Sequence, residues 1–189
     1  MSAQDSKLFV ISGPSGAGKG TLVTRVRERR SNLGLTVSAT TRAPRKGEVD
    51  GVNYFFLTCE EFDRRVANGE FVEWAEVHGN CYGTLVSEVQ SKLAAGASLI
   101  LEIDVQGALQ VKERFPEAVL IFIKPPSLEV LRERLVGRGT ETPETIELRM
   151  ANAADELALA DRYDDVVVND DLDRATDELV RVLDMHERI

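Results

Sequence analysis

Nine consecutive residues, Gly13, Pro14, Ser15, Gly16, Ala17, Gly18, Lys19, Gly20 and Thr21, stand between an apolar run, Leu8 to Ile11, and a segment whose pattern starts a helix near Lys19. Glycines let a chain curl so that successive amide N–H groups point inward. A helix N-terminus adds partial positive charge, and a lysine at this spacing reaches the outer phosphates of a nucleotide. This is a cradle for a triphosphate that grips phosphate without reading the base. Gly20 stands where a hydroxyl would ordinarily meet magnesium, with Thr21 next to it, so the metal is expected to be held through phosphate oxygens and water. The bland alternative is a Gly-rich strand-to-helix turn.

If the triphosphate donates a phosphoryl group, the acceptor needs a basic pocket of its own. In Ser38-Ala39-Thr40-Thr41-Arg42-Ala43-Pro44-Arg45 two guanidiniums lie three residues apart beside a restraining proline, and their planar forks suit a monophosphate. Tyr54 and Tyr82 can add phenolic donors. A guanine acceptor offers two neighbouring N–H donors and one oxygen acceptor, which one carboxylate and one hydroxyl would satisfy. Glu73 with Ser38 or Thr84 has that chemistry, and adenine would leave the carboxylate unpaired. Taken alone, Glu73 beside Trp74 reads equally well as a strand carboxylate facing solvent.

The elements that must position these groups follow from periodicity. Leu8 to Ile11, Leu99 to Ile103, Val119 to Ile123 and Val166 to Val168 read as buried strands, alternating with helical segments. This predicts an α/β fold with a parallel sheet covered by helices. Helices are expected around Leu22, Val23 and Val26, over Ala108 to Glu113, around Val130 to Leu135 with Ser127 as cap, from Thr142-Pro143 to about Leu159, and over Asp173 to His186. Leu35 to Tyr82 breaks the rhythm, with period-two segments at Tyr54 to Leu57 and Phe71 to Val77 around a helix at Glu60 to Ala67. It reads as an inserted α+β lobe that could hold a second substrate, or as a structural edge hairpin.

A chain of 189 residues, 43% apolar, can bury one core. Its longest apolar runs are too short to span a membrane, and the expectation is a soluble cytoplasmic protein whose Cys59 and Cys81 are reduced, packed thiols. His78 carries no metal-like pairing. A net charge of −9 disfavours a broad grip on nucleic acid or an acidic membrane, so phosphate must be met by local clusters: Arg42, Arg45 and Lys46, then Arg134, Arg138 and Arg149.

Over Lys7 to Glu187 the chain resembles guanylate kinases, through GPSGAGKGT, SATTRAPRKGEVDGVNYFF, EFVEWAEVHGNCYGT, LILEIDVQG, RLVGRGTE and VVVNDDLD in that order. The resemblance implies a phosphate-loop core (7–34, 86–136 and 160–187), a nucleoside-monophosphate-binding lobe (about 35–85) and a helical lid (about 137–159). It places GMP against Ser38, Arg42, Arg45, Tyr54, Glu73, Tyr82 and Thr84, with Glu102 and Asp104 close by. Asp104 would organise magnesium, through water, and Glu102 could share the base-side hydrogen bonding; both could also be strand-end carboxylates in solvent. ATP would lie on residues 13–21 with Asn169 near its adenine. Arg138 and Arg149 would close over the donor phosphates, with Gly137 and Gly139 as hinges or simply as helix terminators.

The reaction so implied is ATP plus GMP, and by extension dGMP, giving ADP plus GDP. Lys19, Arg42, Arg138, Arg149 and Mg2+ would stabilise the transferring phosphoryl group. No nucleic acid, membrane or obligatory protein partner is expected. The alternatives are a catalytically silent interaction module of the same fold and a kinase for another small phosphorylated acceptor.

Overall fold

The computed structural model describes residues 6–77, 79–137, 139 and 142–187. In chain order the elements are β1 (Leu8–Ser12), α1 (Lys19–Arg29), β2 (Gly34–Leu35), β3 (Ser38–Thr40), β4 (Phe55–Phe56), α2 (Cys59–Ala67), β5 (Phe71–Val77), β6 (Asn80–Leu85) and α3 (Val86–Ala94). There follow β7 (Leu99–Glu102), α4 (Val105–Arg114), β8 (Val119–Lys124), α5 (Leu128–Gly137), α6 (Pro143–Leu157), a 3-10 turn (Ala160–Arg162), β9 (Asp165–Val168) and α7 (Leu172–Glu187).

The four apolar runs do pair in parallel, and their alternation shows why they are apolar throughout. Phe9 and Ile11 of β1 face one way, with Ile100, Ile121, Ile123 and Val167, under α1 and α7. Leu8 and Val10 face the other way, with Leu99, Leu101, Leu120 and Phe122, under α3 and α4. Strands covered on both faces have no solvent side to mark with polar residues. The order β2-β7-β1-β8-β9 puts β1 at the centre. Its register, Ile11 opposite Glu102 and Ser12 opposite Phe122, brings the carboxyl ends of β1, β7 and β8 to one edge. That edge is where an open parallel sheet holds its ligand.

Four elements were not legible in the sequence. β2 is two residues long and, among the described residues, pairs only with β7, so no periodicity can reveal it. β3 and β6 pair with each other across a long loop. In α3 only Val89 is buried, too little for an apolar stripe. Boundaries also shift: α2 starts at Cys59 because Thr58 and Glu61 form a reciprocal capping box, a signal present in the residues themselves. That start also corrects one expectation. Cys59 lies in the exposed first turn of α2 rather than packed, while Cys81 is half-buried, and both thiols are free.

The second sheet, in the order β4-β3-β6-β5, is antiparallel except for the β3–β4 pair. Its small core packs Ala39, Phe62, Phe71 and Leu85, with Phe62 and Phe71 stacked at 4.3 Å between centroids. Phe71 and Glu73 would share a face of an unbroken strand. A bulge intervenes: Phe71 pairs with Leu85, but Glu73 pairs with the next residue down, Thr84. The extra residue, Val72, is buried in the larger core. Phe71 therefore faces α2 while Glu73 emerges on the opposite face.

Gly83 makes this kink feasible, because a Cβ there would lie 2.7 Å from the Glu73 carbonyl oxygen and 2.9 Å from Trp74 Cβ. Gly83→Ala should therefore destabilise the protein by about 1–3 kcal/mol, the usual cost of overpacking, measured by urea unfolding; an unchanged midpoint would show that the bulge tolerates a side chain.

Candidate active site

The loop between β1 and α1 is shaped from beneath. Gly13, at φ 141°, brings its Cα so near β8 that an added Cβ would lie 2.3 Å from the Ile123 carbonyl oxygen. Asn169, just past β9 and 5% exposed, donates from Nδ2 to the Ala17 carbonyl at 2.7 Å. Its own carbonyl accepts from Arg134 Nη2 at 2.8 Å. Asn169 thus braces the loop, and it also borders a cavity of about 490 Å³ shared by Gly16, Gly18, Thr21, Arg134 and Gly137. Arg134 was legible in the sequence only as one member of a basic cluster.

Lys19 opens α1 and folds back, its Nζ donating to the Gly13 and Pro14 carbonyls at 2.5 and 3.1 Å. Arg149, from the middle of α6, crosses to the loop and donates to Ser15 Oγ. Helix α6 itself starts where the sequence predicts, with Thr142 capping the Thr145 N–H and Pro143 in the first turn. Arg138 lies outside the described residues, as does His78.

Two carboxylates mark the carboxyl end of β7. Glu102 is crowded by protein atoms, which raises its pKa, while Lys19 pulls it back down. It retains a solvent-exposed edge, so crowding rather than full exclusion from water sets the direction. Asp104 is exposed and caps α4, accepting from the Gly107 N–H at 2.7 Å. Glu156, near the end of α6, is a third carboxylate raised by burial; Lys19 opposes that shift and Asp104 adds to it. Sequence periodicity could not have brought Glu156 here, because its place depends on how α6 folds back over the sheet.

Across from the loop, one face of the second sheet collects the rest. Cross-strand partners share a face, and Ser38 pairs with Thr84, which in turn pairs with Glu73. Two residues along the same face, Thr40 pairs with Tyr82 and Tyr82 with Ala75. Ser38, Thr84, Glu73 and Tyr82 are thereby aligned by register alone, and Glu73 does not face open solvent. Burial pushes its carboxyl pKa up, an effect that the Thr84 hydroxyl opposes and the negative charge of Asp104 reinforces. Thr84 is fully buried, and its hydroxyl has no hydrogen-bond partner of good geometry among the described residues.

Beside this row, Tyr54 meets Tyr82 edge-on at 6.2 Å, and the Arg42 guanidinium lies 5.4 Å from the Tyr54 ring centroid. Arg45 is exposed in the same loop. Glu48 was not singled out in the sequence; it pairs with Arg42 at 2.9 Å. The structure thus forms two groups, a cradle with cations from α1, α5 and α6 and a polar row flanked by two arginines, with Asp104 near enough to act electrostatically on Glu73 of the row and on Glu156 beside Lys19.

Comparison with known proteins gives a consistent answer. A family model described as guanylate kinase matches residues 5–186. The chain is 57% identical over 178 residues to a guanylate kinase of Gloeobacter violaceus, covering 94% of this chain and 87% of that one. It is 51% identical over 183 residues to that of Halalkalibacterium halodurans, covering 97% and 90%. The crystal structure of guanylate kinase from Anaplasma phagocytophilum superposes with a TM-score of 0.72 at 36% identity, over 97% of this chain and 87% of that chain.

Replacing Lys19 with alanine should leave the thermal melting midpoint within a few degrees of the parent, because its bonds to the Gly13 and Pro14 carbonyls close a local turn. It should also reduce steady-state phosphoryl transfer by roughly two orders of magnitude or more; near-normal turnover would remove Lys19 from the chemistry.

Proposed function

The chain belongs to the guanylate kinase family and carries out the ATP-dependent phosphorylation of GMP, and we propose that its acceptor lies on the polar row of the second sheet and its donor on the loop of residues 13–21. The observation that supports this reading most is the single register that aligns Ser38, Thr84 and Glu73. A base whose edge carries two adjacent donors and one acceptor is matched by a carboxylate beside hydroxyls. Glu73 accepts from the guanine N1–H and amino group, and Ser38 and Thr84 donate to its oxygen. Arg42, Arg45, Tyr54 and Tyr82 take the phosphate, so that base and phosphate are read at opposite ends of one face. No residue of this set addresses the ribose 2′-hydroxyl, so dGMP is accepted too.

On the donor side, backbone N–H groups of the loop, other than at Pro14, which has none, and at Ala17, whose N–H bonds to the Pro14 carbonyl, hold the β- and γ-phosphates together with Lys19, with the adenine toward Asn169 and Arg134. Transfer is direct and in line. Arg149 and Arg138 from the lid, with Lys19 and Arg42, neutralise the charge that spreads over the phosphoryl oxygens, and closure of the lid and lobe keeps water away. Oxygen donors at Thr21, Glu102 and Asp104 suit magnesium in kind. Among the described residues no three His, Cys, Asp or Glu side chains converge as a metal cage. A site of that sort would hold Mg2+ largely through phosphate and water, with Asp104 contributing through water. Bound there, Mg2+ would supply positive charge that offsets the charge on the phosphate oxygens.

Among the described residues no helix is long and apolar enough to cross a membrane. We place the enzyme in the cytoplasm, where both nucleotides are available, acting without a protein partner.

Magnesium-dependent ADP formation from ATP should be selective for GMP and dGMP over AMP, CMP and UMP; equal rates with AMP would displace Glu73 from base recognition. Glu73 also predicts a pH dependence. Its charged form is the one that accepts from guanine, and its folded pKa is raised. Guanosine affinity, free of the substrate phosphate's own titration, should therefore be constant at neutral pH and fall on acidification, starting above the ordinary carboxylate range. Glu73→Gln should bind guanosine more weakly and without that dependence. The same shift sets the sign for stability. The folded state holds the Glu73 proton more tightly, so stability falls as pH rises from the ordinary carboxylate pKa through the raised one. Glu73→Gln should thus melt higher than the parent at pH 7.

A further inference from the structure

Arg42 and Arg45 sit on a connection, residues 41–49, that contains neither helix nor strand. Long cationic side chains on such a segment have many rotamers to lose when a ligand binds. Here the Arg42 side chain and the Arg45 backbone are already organised, and the organiser is an acid. Arg42 Nη2 donates to both oxygens of Glu48, at 2.9 and 3.0 Å. The Arg45 backbone N–H donates to Glu48 Oε2 at 2.7 Å, and the Glu48 N–H returns a bond to the Arg45 carbonyl at 3.0 Å. Arg42 Nη1 is held by the Ala43 carbonyl at 2.8 Å. The guanidinium carbon lies 5.4 and 5.9 Å from the ring centroids of Tyr54 and Phe56. The Arg42 and Glu48 side chains are only 15% and 19% exposed.

A carboxylate beside a phosphate site costs Coulomb energy when the anion arrives, so its presence there calls for a compensating role. Nη2 meets both Glu48 oxygens in one forked contact and Nη1 meets the Ala43 carbonyl, which fixes the plane of the guanidinium while leaving N–H donors for an oxygen of the ligand. The Arg42 guanidinium in turn holds the Glu48 carboxyl below the usual carboxylate range, with the Arg45 N–H contributing, so the pair stays ionised at neutral pH.

We propose that Glu48 is a positioning residue for the acceptor phosphate: it locks Arg42 against Tyr54 and Phe56 and ties the Arg45 backbone to it, so that the phosphate meets a preformed cationic corner rather than a mobile loop. The inference rests on the assignment of Arg42 and Arg45 to the GMP phosphate.

The test measures, by calorimetry, the affinities of GMP and of guanosine for the parent, Glu48→Ala and Glu48→Gln, alongside KM for ATP. Glu48→Ala should weaken GMP by about tenfold or more, on the scale of one lost charge-assisted hydrogen bond. Guanosine affinity and KM for ATP should stay at parental values. Glu48→Gln retains one oxygen for Arg42 and the Arg45 N–H, so it should recover part of the loss, and it carries the test should the alanine variant fold poorly. GMP binding as tight as or tighter than the parent's in both variants would overturn the proposal, because the carboxylate would then be neutral toward the phosphate or in competition with it. So would an equal loss for guanosine and GMP, the signature of a merely structural role. If the parent itself binds GMP no better than guanosine, the assignment of the arginines to phosphate fails, and the inference fails with it. A parent that prefers GMP and variants that keep the preference would overturn the role of Glu48 alone.

Discussion

The close approach of the loop of residues 13–18 to the strands beneath it is the constraint on which the rest depends. Gly13 lies against the β8 backbone with no room for a side chain, and Asn169 props Ala17 from the end of β9. These contacts hold the loop curled, and a curled loop is what turns backbone amides into an anion site. The central place of β1 follows from the same requirement. With β7 on one side and β8 on the other, its carboxyl end is surrounded by fixed backbone, and Glu102 arrives beside Lys19 by register. A loop hung from an edge strand would have no such support.

The second sheet solves a different problem, that of facing two ways at once. Its far side needs a small apolar core with α2, and its near side needs an ordered polar row. One extra residue in β5 separates the two, sending Phe71 to the core and Glu73 to the cleft, and Gly83 leaves the space in which the strand can kink. The buried carboxyl that results is costly, as its raised pKa records. Such a cost is tolerated where a ligand, rather than the fold, supplies the missing partners.

Charge is managed by pairing close to the sites. Against a net charge of −9, Arg25 and Arg29 of α1 and Arg30 at its C-cap are joined to acids of α7, Arg25 with Asp173, Arg29 with Asp177 and Arg30 with Asp184 and Glu187. These pairs run along the flank of the sheet and hold two helices in register. Arg42 is paired as well, but over aromatic rings and beside a polar row, so an ion pair of the same chemistry is placed where it can meet a ligand.

The residues by themselves determined the phosphate loop and the parallel sheet, and they marked Lys19, Arg42, Arg45 and the two tyrosines as candidates for the site. Each of these is written locally: glycines and a lysine at fixed spacing, apolar runs without a polar face, two arginines beside a proline. The family resemblance added Glu73, Asn169 and the lid arginines, which no local pattern distinguishes from surface residues. Three things came only from the tertiary structure. The two-residue strand β2 exists because β7 offers it a partner. The direction of Glu73 is set by a bulge whose register spans β5 and β6, and periodicity along one strand predicts the wrong face for one of its two flanks. Glu48 and Glu156 gain their meaning from neighbours, an arginine six residues away around a turn and a lysine far off in the chain. Local chemistry is encoded at short spacing, whereas the facing of a side chain depends on which strand or helix it meets, and that is decided only when the whole chain packs.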